Sequence, residues 1–198
     1  MKNLVLKTIG ITLGAIVIAV ALLYGVFALF FPKNIAKFYD DVGNDDLAVY
    51  YMEKAYAKSD SMDNLNLLCR YAVKTGDNGL IAKHLDKLFL SDDFKRYTLT
   101  DGDGITYYDF MASKYAVACL YTSGARYATE KAFLITDDYR KGSAVYTLLR
   151  AIVSDKSFDK TCVADIQKGI LSAYENYSEQ GKSYADADLS TINIYLNQ

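Results

Sequence analysis

Residues Ile9 to Phe31 read IGITLGAIVIAVALLYGVFALFF, an unbroken apolar run without one charge. As a helix the run extends roughly 34 Å, enough for a hydrocarbon core of about 30 Å. In lipid a single segment satisfies its own backbone only as a helix, so the run predicts one spanning helix over 9–31, after a short basic tail at 1–8. Lys7 and Lys33 bracket it. A cleaved signal peptide is the competing reading, because Lys2 and Lys7 precede the run and Ala19-Val20-Ala21 resembles a cleavage site. The run continues for ten residues past Ala21, which favours an uncleaved anchor. Lys2 and Lys7 before the helix and Lys33 and Lys37 after it leave the charge bias nearly flat. A short tail, one span and a long domain is the layout of a signal anchor, which places 32–198 outside the cytoplasm. Gly10 and Gly14 form a GxxxG pair, the spacing that lets two membrane helices pack closely.

Beyond residue 31 the chain is the size of one domain. A net charge of −2 gives no basic field, so nucleic acid is not expected as a partner. His84 is the one histidine, and it lies on an apolar stripe with Leu80, Ile81, Leu85 and Leu88, which reads as core. Cys69, Cys119 and Cys162 lack zinc spacing and fall in apolar helical contexts, as small buried hydrophobes do. The acid pairs Asp40-Asp41, Asp45-Asp46, Asp92-Asp93 and Asp137-Asp138 read as helix-end residues that favour the positive end of the dipole. Asp101-Gly-Asp103-Gly opens like a calcium loop but has Thr106 where the glycine belongs and Ala112 where the glutamate belongs. No GxxxxGK[ST] loop occurs, and no cofactor, metal or catalytic constellation is predicted.

Apolar residues recur at three- and four-residue spacing throughout, and nothing long alternates with period two, so the domain is predicted all-α. Helices are expected near 32–42, 45–58, 62–75, 78–90, 105–122, 125–134, 142–153, 161–178 and 187–197. Breaks are expected at Gly43-Asn44, Ser59-Asp60-Ser61, Gly76 to Gly79, Ser123-Gly124 and Gly181, with 91–104 the longest irregular stretch. Thr106-Tyr-Tyr-Asp109 has capping-box spacing. The seventeen tyrosines of the domain read mainly as packing residues that stand in for the absent tryptophan.

Placing Gly43 over Gly76 gives a period of 33, in which Leu47 meets Leu80, Met52 meets Leu85 and Tyr56 meets Phe89. On these residues the chain resembles the tetratricopeptide repeat. The best unit runs from Pro32 to Asp60, with Ile35, Ala36 and Tyr39 in its first helix, Gly43 at the turn, and Ala48, Met52 and Ala55 in its second. A looser unit at 62–90 keeps Leu65, Leu68 and Cys69 but has Ile81 at a small-residue position. A third at 106–135 keeps Ser113, Ala116, Ala125 and Ala132, and Ala144, Leu148 and Ala151 start a fourth. The family's first-helix tryptophan and closing proline are missing. The resemblance implies an N-terminal anchor followed by a stack of antiparallel helical hairpins over 32–135, with helices 136–198 capping it.

The resemblance also implies a groove lined by the first helix of each unit. Lys37, Arg70 and Lys114 share one first-helix position, with Lys33 and Lys74 nearby, and such a row holds carboxylates of an extended peptide or protein tail. The expected function is therefore a membrane-anchored adaptor, assembly factor or chaperone-like tether that binds a membrane-associated protein. A structural subunit of a membrane complex, or an oligomer packed through Gly10 and Gly14, is the alternative. An enzyme of unrecognised type ranks third. The lysine-rich, arginine-poor composition suits a bacterial source.

Overall fold

The structure, a computed structural model, describes residues 2–91, Phe94 and residues 105–197, with side chains from Lys7 onward. The described residues form ten α-helices and the 3-10 turn Tyr174–Asn176, Phe94 is also in 3-10 conformation, and no strand occurs among them. They divide into two compact units, Met1–Thr75 and Gly76–Gln198.

The first unit holds α1 (Lys2–Phe30), α2 (Pro32–Asp41), α3 (Asp45–Lys58) and α4 (Met62–Thr75). Within α1 the segment Lys7–Phe30 is long and apolar enough to cross a membrane, and none of its most apolar window is buried. A chain of backbone bonds nearly joins α1 to α2, since Phe31 donates to Phe27 and Ile35 donates to Phe31. The break between them has a local cause. Pro32 opens α2 at its first position, where its missing N–H costs nothing, and its ring pushes Phe31 out of the helical region to φ −127°, ψ 51°.

Gly43 then turns α2 back into α3. Its φ of 74° is left-handed, the conformation a residue just past a helix needs and glycine adopts without strain. Asn44 follows and caps α3 by accepting from Leu47 N at 3.2 Å. The same device recurs one period later: Gly76 has φ 70°, and Asp77 accepts from the amides of Gly79 and Leu80. Inside the first hairpin Ile35, Ala36, Ala48, Met52 and Ala55 are all buried. The alanines let the helices approach, and Met52 fills the space between them. Helix α4 returns along α3 and buries Leu65, Leu68, Cys69, Tyr71 and Ala72.

The second unit holds α5 (Asn78–Phe89), α6 (Tyr107–Ser123), α7 (Ala125–Ile135), α8 (Ala144–Ser154), α9 (Lys160–Ala173), the 3-10 turn Tyr174–Asn176 and α10 (Glu179–Asn197). Each helix from α5 packs on a sequence neighbour, and α6 also meets α8 while α7 meets α9. This next-and-next-but-one order is the packing of a stack of hairpins rather than of a closed bundle. Met111, Ala116, Leu120, Ala132, Leu148, Ile152 and Ile166 form its core, with Leu85 and Leu88 from α5. Thr106 caps α6 as the capping-box spacing predicts, accepting from Asp109 N at 3.0 Å. His84 is buried on α5, Cys69 and Cys119 are buried, and Cys162 is half-buried.

Four expectations are corrected. Gly181 does not break the chain; it lies in the first turn of α10, which starts at Glu179 rather than near residue 187. A β-carbon there would overlap the Asp138 carboxylate and stand 3.2 Å from the Tyr139 carbonyl oxygen, so the glycine serves a close approach between segments. The helix expected over 161–178 ends at Ala173 and tightens into the 3-10 turn. Asp40 and Asp41 close α2 at its C-terminal, negative end, the reverse of the favourable placement. Asp137 and Asp138 lie in the connection after α7, and Asp138 accepts from the amide and hydroxyl of Ser178 just ahead of α10. Asp45 and Asp46 do occupy the first turn of α3. Asp92-Asp93 and Asp101 to Gly104 lie outside the described residues.

Candidate functional site

Helices α2 and α4 are tied together at both ends. Lys33, near the start of α2, donates to Asn64 Oδ1, near the start of α4, at 2.9 Å. Asp40, near the end of α2, pairs with Lys74, near the end of α4. Start meets start and end meets end, so the two helices run parallel. Lys33, Lys37 and Asp40 are spaced by four and three residues and lie on one stripe of α2. Arg70 and Lys74, four residues apart, share a stripe of α4.

The five candidate cations are therefore used unequally. Lys33 and Lys74 hold α2 and α4 together. Lys37 and Arg70 are exposed on those two helices. Lys114 is exposed on α6 of the second unit, with its ammonium 5.6 Å from the centre of the Phe110 ring. Gly10 and Gly14 lie on α1, where an added β-carbon would meet nothing within 4 Å.

Three polar assemblies of the second unit escape sequence reading. Asp109, buried in the first turn of α6, receives two hydrogen bonds from Arg140, at 2.8 and 2.9 Å, and one from the Thr106 hydroxyl. Asp188, buried on α10, receives two from Arg150 on α8, at 2.9 and 3.1 Å, and one from the Tyr139 hydroxyl at 2.7 Å. The Arg150 guanidinium also lies 3.5 Å over the Tyr146 ring. Both arginines match a carboxylate in the two-point geometry that a planar guanidinium allows. The partners are 31 and 38 residues apart, so no local spacing announces them.

The third assembly lines a cleft of about 230 Å³ between α5, α6 and α7. Asp86 accepts from the Tyr115 hydroxyl and from Lys131 Nζ at 3.1 Å. The Tyr115 hydrogen bond, helped by Lys131, holds the Asp86 carboxyl below the usual carboxylate range. Burial, then Asp86, pushes the Tyr115 phenol upward. Burial likewise raises the Cys119 thiol. Phe89, Tyr108 and Ile135 add apolar walls, and Leu90 and Leu134 stand exposed at the rim. The Tyr108 hydroxyl donates to the Ile135 carbonyl oxygen at 2.8 Å. Tyrosine thus supplies both the bulk and the hydrogen bonds of this unit's core. Among the described residues no three His, Cys, Asp or Glu side chains are grouped to hold a metal ion.

Comparison of the chain with protein-family models, with curated proteins and with solved structures gives no match.

Proposed function

We propose that this chain is a single-pass membrane protein whose helical hairpins, on the extracytoplasmic side, form a tetratricopeptide-like module that binds another protein. The anchor is α1, which confines the module to the membrane and raises its concentration near membrane-associated partners. The recognition face is the pair α2 and α4, and its ligand is an acidic, extended segment of the partner.

One observation carries this reading: α2 and α4 run parallel at a spacing set by Lys33–Asn64 and Lys74–Asp40. In a repeat of helical hairpins, parallel first helices are the ones that line the groove. Lys37 and Arg70 remain exposed there as donors for carboxylates. The recurrence of a left-handed glycine and a capping Asn or Asp at 43–44 and 76–77 supports the same repeat.

The test is a crosslinked pull-down of the intact protein from its own membrane, read by mass spectrometry. The adaptor reading expects a partner that the double variant Lys37→Glu/Arg70→Glu fails to capture. A partner retained by that variant but lost with Gly10→Leu/Gly14→Leu would instead make the chain a subunit held through its span.

A further inference from the structure

Tyr24 lies inside the apolar run, six residues before the end of α1, yet its hydroxyl is 2.9 Å from that of Tyr39 on α2 and 2.8 Å from that of Tyr51 on α3. This geometry limits the direction of α2. Were α2 to continue α1 in a straight line, Tyr24 and Tyr39 would stand about 22 Å apart along the axis. Two tyrosine side chains meeting at their hydroxyls do not reach that far, so the chain bends sharply at Phe31-Pro32. The α2–α3 hairpin thus lies beside the last turns of α1 rather than beyond them. A second tie agrees: Lys58 of α3 donates to the Leu29 carbonyl oxygen, and its ammonium is 5.9 Å from the Phe30 ring centre.

The hairpin carries an apolar surface that the first unit leaves uncovered. Phe31 is 51% exposed, Phe38 55%, Val42 59% and Tyr50 47%. At about 100° per residue, Phe38 and Val42, the residue that closes α2, fall within about 40° of one another around the helix, on the side away from the Lys33–Lys37 stripe. Tyr50 joins this set through stacked and edge contacts that run Phe38–Tyr39–Tyr51–Tyr50. The Lys54 ammonium sits 4.2 Å over the Tyr50 ring. Tyrosine and phenylalanine edged by lysine is the composition of a membrane–water boundary.

We infer that the α2–α3 hairpin rests on the surface of the bilayer that α1 crosses, with Phe38, Val42 and Tyr50 set into the boundary between headgroups and acyl chains. The occupant of this apolar face is lipid because the face is continuous with the end of α1 and is tied to a residue within the apolar run. Tyr24, Tyr39 and Tyr51 form the joint that fixes the tilt of the hairpin. Lys37, on the opposite side of α2, then points away from the membrane. The inference rests on the spanning reading of α1.

The chain has no tryptophan, so a single introduced one reports its own depth. The full-length variants Phe38→Trp, Tyr50→Trp, Ile16→Trp and Lys37→Trp are reconstituted in phosphatidylcholine–phosphatidylglycerol nanodiscs whose lipids carry bromine either near the headgroup or near the bilayer centre. Positions 38 and 50 are expected to lose emission to shallow bromine and little to deep bromine, and position 16 to deep bromine. Position 37, on the far side of α2, loses least. Adding Tyr24→Phe/Tyr51→Phe to Phe38→Trp weakens the shallow quenching, because the joint is gone. Quenching at 16 without quenching at 38 or 50 overturns the seated hairpin and leaves the span intact. An unquenched position 16 overturns the span, and the seat with it.

Discussion

Arg140 grips Asp109 at two points, Nε to Oδ2 at 2.8 Å and Nη2 to Oδ1 at 2.9 Å, and so fastens the connection after α7 to the first turn of α6. The Asp109 side chain is 5% exposed and the Arg140 side chain 36%. Removing the arginine strands a buried carboxylate, which costs about 3–5 kcal/mol where both partners are buried. Because Arg140 is partly solvated, Arg140→Ala is expected to lose about 2–3 kcal/mol. Denaturant unfolding of the detergent-solubilised protein measures it; a loss below about 0.5 kcal/mol, the scale of a neutral surface change, would show that the pair holds nothing.

Gly181→Ala gives a test of opposite sign. In an ordinary helix interior the exchange gains up to about 1 kcal/mol. Here the new methyl meets Asp138 and the Tyr139 carbonyl oxygen, so the variant is expected to be less stable by about 1–3 kcal/mol, the cost of overpacking. Gly14→Ala, with open space around it, is the control that leaves unfolding of the hairpins unchanged. A stabilised Gly181→Ala variant would show that the connection does not press on α10.

Legibility followed the range of the interaction. The turn at Gly43-Asn44 and its echo at Gly76-Asp77 were readable because conformation and cap are set within four residues. The Thr106 cap was readable for the same reason. Gly181 reads as a break because its partner, Asp138, lies more than forty residues away, and a glycine needed for contact looks like a glycine needed for a turn. Thr106 to Asp109 has capping-box spacing, but nothing in that spacing announces Arg140, 31 residues on, which the Asp109 carboxylate also holds. Of the candidate cations, spacing found the stripe on α2 but not which lysines are engaged: Asn64 and Asp40, which hold Lys33 and Lys74, come into view only when α2 and α4 are side by side.

Alkaline titration reads the tyrosine core. Burial, then the nearby acids, pushes Tyr108 up to about 12, and burial, then Asp138, does the same for Tyr177. In the unfolded chain both ionise near about 10. Their contribution is therefore fully present below that value and is lost as pH rises toward the folded value, because only the unfolded state gains from losing the proton. Absorbance titration should show a late-ionising class of tyrosines and falling stability across this window, with Tyr108→Phe flattening the fall. A single class ionising at the unperturbed value would contradict it.

The Asp86 cleft responds at the other end of the scale. The Tyr115 hydrogen bond and Lys131 lower the Asp86 carboxyl, so its contribution is complete above the unfolded value of about 3.9 and is lost as pH falls through the lower folded value. Wild-type stability should drop more steeply on acidification than that of Asp86→Asn. Parallel acid profiles would mean that Asp86 gains nothing from Tyr115 or Lys131.

A partner bound as proposed touches the face of α2 and α4 that carries Lys37 and Arg70. A photo-crosslinking residue at position 37 or 70, with position 171 on the exposed surface of α9 as reference, measures this in the native membrane. Adducts to one protein from 37 and 70, and none from 171, are the predicted result. Adducts equal at all three positions, or confined to 171, would contradict it.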